Sequence, residues 1–272
     1  MSGGAAMQQL PVLVQLLFAS PEPARVDIER ALLHLRERFG RVVVSDGARD
    51  NATMIELQDL PAGELEGNRV ATTLTLLRSA EPPPSDEVNA CAEQSWDWPE
   101  AKDVAARAQS SIIAMPMLSW AWLDRLNRLA IVHAAVDALL EDSTPIALHW
   151  PMCRRLVAPD AYRRGRAERT DPLYPASNVR LYRITDGAPG EMLMDTLGLA
   201  PFALPDFQIR FADLTPSQVA AQLFNLALYE FQNGDVIEDG HTVEGIPAGT
   251  AWHCQRGRSA VEPDRVVIEL HR

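Results

Sequence analysis

The sequence predicts an α+β protein: two ferredoxin-like α/β sandwich halves packed side by side. Three observations carry that expectation. The 272 residues are 47% hydrophobic, enough for a sizeable core. Short apolar runs alternate with segments of helical period. The order strand–helix–strand–strand–helix–strand occurs twice, with the halves meeting near Ser110. That places an N-terminal half at residues 1–109 and a C-terminal half at 110–272. No sequence repeat accompanies the duplication, so it rests on element order alone.

Residues 1–9 form a polar, Gly/Ala-rich tail. Residues 12–19 are an apolar strand; no basic residue precedes them, and Pro11 and Gln15 interrupt the run, so a strand fits better than a secretory leader. A helix follows from about Ala24 to Phe39, with Ile28, Ala31, Leu32, Leu35 and Phe39 as its buried stripe and Gly40 as its stop. Strands are expected at 41–45 and 53–57 around a turn-rich segment holding Asp46, Gly47, Asp50 and Asn51, and again at 71–77. Residues 81–85, Glu-Pro-Pro-Pro-Ser, are a stiff connector. A helical region at 86–109 breaks near Trp98-Pro99. A strand at 110–115 leads to a helix capped by Ser119 and reaching about Leu140, then a strand at 146–150. Residues 153–178 are arginine-rich and irregular. Strands are expected at 179–184, 193–197, 207–211 and 265–270.

The most fully specified stretch runs from Leu214 to Gly245. Thr215, Pro216 and Gln218 spell a capping box with proline in the first turn. Val219, Leu223, Phe224, Leu226, Leu228 and Phe231 fall on nearly every side, which predicts a helix buried all round. Asn233-Gly234 stops it. Asp239-Gly240 then predicts the turn of an acidic hairpin spanning 235–245.

The formal charge of −12 argues against nonspecific binding to nucleic acid or an anionic membrane and permits a basic protein partner. Lys102 is the only lysine. Cys91, Cys153 and Cys254 are an odd number without a C-x-x-C, which suits reduced thiols in a cytoplasm. No apolar run is long enough to span a membrane.

Asp235, Glu238, Asp239 and Glu244, with His241 among them, could line a partner-binding acidic edge, hold a hard cation, or simply be solvated. Calcium-loop spacing is absent, so no metal and no cofactor is expected. Arg154, Arg155, Arg163, Arg164, Arg166 and Arg169 stand against Asp160 and Glu168, a net +4. They could bind phosphate or an acidic partner, or pin themselves to the protein's own acidic surface. Trp96 and Trp98 around a proline could form a recognition surface or serve as packing anchors. His149, His241 and His253 could act as acid–base groups, but neither a zinc pattern nor a hydrolase or phosphate-loop motif accompanies them.

Several patches resemble an uncharacterised bacterial domain family of unknown function: residues 96–101 (Trp-Asp-Trp-Pro-Glu-Ala), 147–150 (Ala-Leu-His-Trp), 194–199 (Met-Asp-Thr-Leu-Gly-Leu), 204–207 (Leu-Pro-Asp-Phe) and 233–242. The family offers no catalytic residues to carry over. Some of its members are encoded near type VI secretion effectors, and the resemblance therefore implies an immunity role. Such a protein would be cytoplasmic and would neutralise a basic toxin, a nuclease above all, by contact through Asp235, Glu238, Asp239 and Glu244. An enzyme using one of the three histidines and an adaptor that loads effectors are the rival expectations. A homodimer is compatible with free sheet edges.

Overall fold

The computed structural model describes residues 12–22, 25–45, 49, 51–65, 67–117, 123–168, 171–185 and 187–272. The tail at 1–9, Ala24, Asp46, Gly47, Asp50, the expected cap Ser119 and Arg169 lie outside them. The fold is mixed α+β, with six α-helices and two sheets among the described residues. It divides into two compact units, residues 12–175 and residues 176–272.

The first unit runs β1 (Val14–Phe18), α1 (Ile28–Phe39), β2 (Val42–Val44), β3 (Ala52–Leu65), β4 (Asn68–Ser79), α2 (Ser85–Glu93), α3 (Ala101–Ala105), β5 (Ser110–Met117), α4 (Arg125–Asp142), β6 (Ala147–Trp150), β7 (Arg155–Val157) and α5 (Pro159–Glu168). Its sheet has the order β2-β3-β4-β5-β1-β6-β7, and each neighbouring pair is antiparallel. The division falls after residue 175 rather than near Ser110. The reason is register: β5, which begins at Ser110, lies between β4 and β1, so a cut there would part a continuous sheet.

Local chemistry explains the helices. Asp27 caps α1 by accepting the Arg30 amide, and Ala31, Leu32 and Leu35 form the buried stripe. Gly40 ends it at φ 75° and donates its N–H to the Arg36 carbonyl. Asp124, in turn, caps α4, which is buried from Leu129 to Leu140 apart from Asp137. Helices α1 and α4 pack against each other. Strands β3 and β4 extend well past the apolar runs that announced them, with register shifts at Pro61 and Gly63. The stretch expected to be irregular at 153–178 contains β7 and α5.

The second unit runs β8 (Asn178–Arg183), β9 (Met192–Leu197), β10 (Asp206–Phe211), α6 (Pro216–Asn233), β11 (Thr242–Glu244), β12 (Ala251–Arg258) and β13 (Val266–His271). Its sheet order is β11-β12-β13-β10-β9-β8; β10 and β13 are parallel and the other pairs antiparallel. Because β5 and β6 are strands of the first sheet and α4 lies with them in the first unit, the second unit keeps a single α-helix among its described residues. Helix α6 packs on β8, β9 and β10.

Two expectations for α6 need correcting. Thr215 is the N-cap residue, but its hydroxyl makes no capping bond; the Gln218 amide bonds to the Thr215 carbonyl instead. The helix is also one-sided. Val219, Leu223, Leu226, Ala227, Glu230 and Phe231 are buried, whereas Ser217, Ala221, Asn225 and Tyr229 are exposed and Phe224 and Leu228 are half-buried at the flanks. A sheet covers one face of a helix only, and the flanking apolar residues widen the stripe without closing it.

Candidate partner-binding site

The acidic segment is shaped by two buried or half-buried side chains. Glu230, on the last turn of α6, is inaccessible to solvent. Its Oε1 accepts the amides of Val236 at 3.1 Å and Ile237 at 2.7 Å, and Ile237 is buried beneath. Burial raises the Glu230 pKa, against the lowering effect of those two amides. Arg256, on β12, gathers the other side. Its guanidinium pairs with Asp235 and donates to the Ile237 carbonyl at 3.1 Å, and its amide donates to Asp239 Oδ1 at 2.7 Å.

The expected hairpin within 235–245 does not form. Residues 235–237 are stapled to Glu230, and Thr242–Glu244 pairs with Ala251–His253 of β12 instead. Asp239-Gly240 is still a turn, with the Gly240 amide bonded to the Cys254 carbonyl. Thus Asp235 and Asp239 converge on Arg256. Glu238 points to solvent with His241 at 3.7 Å, and Glu244 stands at the far end of β11 with its carboxylate exposed. Among the described residues, no group of three or more His, Cys, Asp or Glu side chains is arranged to hold a metal ion.

The three histidines part company. His241 and His253 are exposed; His149 is buried on β6. Gln15, its cross-strand neighbour on β1, donates to Ser111 Oγ at 3.0 Å, so its Oε1 faces His149 Nδ1, also at 3.0 Å. The imidazole must then donate from Nδ1 and accept at Nε2, where the Cys91 thiol lies at 3.2 Å. Fifty-eight positions separate Cys91 from His149 in sequence, so spacing gave no hint of the contact. Burial pushes the Cys91 thiol up to about 12 and His149 down to about 4. The pair is therefore a neutral S–H···N bond, far from the thiolate–imidazolium form that a cysteine nucleophile needs.

Three arginines of the segment 154–169 pin to their own unit. Arg155 pairs with Asp97 at 2.5 Å and lies over the Tyr174 ring; Arg163 pairs with Asp160 and donates to the Leu140 carbonyl at 2.7 Å. Arg166 approaches Asp137 at 3.9 Å. Beside it His133 contacts Tyr162 Oη at 3.0 Å and the Pro172 carbonyl at 3.1 Å.

One cluster has no counterpart among the expected sites. Arg180, Asp195, Asp206 and Arg265 form a closed ionic group in the second sheet, all but sealed from solvent. Arg180 Nε and Nη2 reach the two oxygens of Asp195 at 2.9 and 2.5 Å. Arg265 bridges Asp195 at 2.6 Å and Asp206 at 3.0 Å. Thr196 Oγ1 donates to Asp206 and accepts the Phe207 amide. The guanidiniums also hold the turn before β13 through the carbonyls of Val261, Glu262 and Pro263. The sequence signal was a charge inside an apolar strand run, as in Met192–Leu197 and at Arg180.

The strand carrying Asp195 opens a segment with a known pattern. Residues 195–271 match the family model described as a domain of unknown function, DUF4261. The match covers less than half of the chain and takes in Asp195, Asp206, Arg265 and the whole acidic ribbon; Arg180 lies outside it. No curated protein and no solved structure matches the chain. No helix among the described residues is long and apolar enough to cross a membrane.

Proposed function

We propose that this chain is a cytoplasmic immunity protein that binds and neutralises a type VI secretion toxin, a basic nuclease, through the acidic ribbon at 235–244. The observation that carries the reading is that Glu230 and Arg256 fix this ribbon while Glu238 and Glu244 remain exposed on it. A preformed anionic edge loses little conformational entropy on binding, and a net charge of −12 speeds capture of a cationic partner. The assignment to a toxin rests on the family resemblance, and Asp235 and Asp239 act in it chiefly as the frame. In the same reading, residues 12–175 are an elaborated ferredoxin-like sandwich, since β6-β1-β5-β4 stand in that order with α1 and α4 as the crossover helices. The free edges of the second sheet suit a homodimer.

The test is co-expression with the product of the adjacent gene, followed by pulldown and a growth-rescue assay. Rescue that is lost in a Glu238→Arg, Glu244→Arg double variant supports the reading. Full expression without rescue sinks it. Binding to an effector's delivery region with no protection from its toxic domain would favour a loading adaptor instead. A second reading, an enzyme, has the Cys91–His149–Gln15 chain in its favour; the burial of both reacting groups stands against it.

A further inference from the structure

Arg163 and Arg166 stand one turn apart on α5. With Ala167 they line one wall of a groove of about 640 Å³, and Asp137, Leu140 and Glu141 of α4 line the other. That volume is the size of a small-molecule site. Neither guanidinium is fully engaged within the protein. Arg166 stands 3.9 Å from Asp137, beyond hydrogen-bond range, and its Nε–H is buried without an acceptor among the described residues. Arg163 donates to the Leu140 carbonyl at 2.7 Å, but its carboxylate partner Asp160 is 80% exposed, and a surface pair of that kind is worth little. The acids of the facing wall, by contrast, are offset. Glu141 pairs with Arg30 at 2.9 Å and with His34 at 2.8 Å. Asp137 lies in the field of Arg166 and Arg38.

Two buried side chains position Arg166. His133 Nε2 must donate to the Pro172 carbonyl at 3.1 Å, so Nδ1 accepts the Tyr162 hydroxyl at 3.0 Å. The Tyr162 oxygen is then left to accept from Arg166. Burial first, and then the charges of Arg166 and Arg38, hold His133 down to about 3, so this region carries a positive potential inside a chain of net charge −12. We infer that the groove between α4 and α5 binds the phosphate group of a small molecule, held by the guanidiniums of Arg166 and Arg163. Two planar forks suit a phosphate, whose tetrahedral group offers three free oxygens, better than a carboxylate, which offers two. A small molecule is favoured over nucleic acid because the acidic chain repels a long polyanion. The groove belongs to the first unit and stands independently of the ribbon at 235–244.

The experiment titrates the full-length protein with glycerol phosphate, inorganic pyrophosphate and citrate at constant ionic strength. Binding is read by calorimetry and by the NMR signals of the arginine Nε–H groups. At least one of the two phosphate compounds binds saturably and moves the Arg166 Nε–H signal, and citrate binds more weakly. Arg166→Gln weakens binding by about tenfold or more, the loss of a charge-assisted hydrogen bond. Arg164→Gln removes the same charge from an exposed neighbour that does not line the groove, and it leaves binding unchanged. Should Arg166→Gln fail to fold, Arg163→Gln, at a half-exposed side chain, carries the same comparison. Equal weakening by the groove variant and by Arg164→Gln would show that diffuse charge alone is being read and would overturn the inference. So would the absence of saturation with both phosphate compounds, or citrate binding as tightly as they do.

Discussion

Arg180 and Asp195 stand directly opposite each other on β8 and β9 and close a two-point ion pair, with neither side chain exposed. Taking two charges out of water costs several kcal/mol each. The second guanidinium, from Arg265, and the carbonyls of the turn before β13 supply the compensation. Breaking such a group from one side leaves an uncompensated buried charge. Arg180→Met therefore costs about 3–5 kcal/mol, measured by urea unfolding. Arg180→Met combined with Asp195→Leu removes charges of both signs and is expected to cost less than the sum of the two single changes. Strict additivity would show that Arg180 and Asp195 do not act as a unit.

That cluster shows where the sequence stopped informing. Local patterns were legible: the stripe of α1, the break between α2 and α3, the span of α6 and most strands could be read from period and punctuation. Cross-strand partners were not. Arg180 and Asp195 look like stray charges in apolar runs until pairing places them face to face. Cys91 and His149 come together through a helix docked on a sheet. The second unit's helix count was misjudged because the element order does not say which sheet a strand joins. For the ribbon, the acids were visible in the sequence, while Glu230 and Arg256, which shape it, sit in segments that read as plain helix and strand. Strand β12 drew notice in the sequence only through His253 and Cys254, and it was missed as a strand.

Glu230 is the next test. Glu230→Ala releases the Val236 and Ile237 amides and costs about 1–3 kcal/mol. Hydrogen exchange at those two amides accelerates well beyond the change seen in α1. Glu230→Gln keeps an acceptor oxygen for both amides and stays close to wild type. Equal protection in all three proteins would mean that the ribbon is held by Arg256 alone.

Stability is expected to fall on acidification, and the direction follows from two histidines. Burial holds His149 down to about 4 and His133 down to about 3, from an ordinary value of 6.5. Below pH 6.5 the unfolded chain takes up protons that the folded protein refuses. Their contribution is thus complete above pH 6.5, declines as the pH falls, and levels off below about 3. For His149 it is on the order of 3 kcal/mol. Asp137 and Asp206 work in the opposite sense, because burial raises both above the ordinary carboxylate value. Urea midpoints measured from pH 7 to pH 4.5 should therefore decline less steeply in His149→Gln than in wild type. Parallel curves would show that His149 carries no such linkage. In the same pH range the neutral Cys91 thiol resists alkylation until the protein unfolds.

Gly165 lies inside α5, where intrinsic propensity would favour alanine by about 1 kcal/mol. Packing reverses the sign. A methyl group built there would sit 2.3 Å from Cε1 of Tyr174 and 2.8 Å from Cζ. The ring has little freedom to retreat: Tyr174 is buried, its hydroxyl donates toward the Ala161 carbonyl, and Arg155 lies over its face. The glycine is there so that the helix can approach the ring, and the helix tolerates it because the contact is worth more than the lost propensity. Gly165→Ala is expected to lower stability by about 1–3 kcal/mol, while Tyr174→Leu in the same background recovers part of the loss by shortening the side chain. If Gly165→Ala stabilised the protein instead, α5 would have to stand far enough from Tyr174 in solution to admit a methyl group between them.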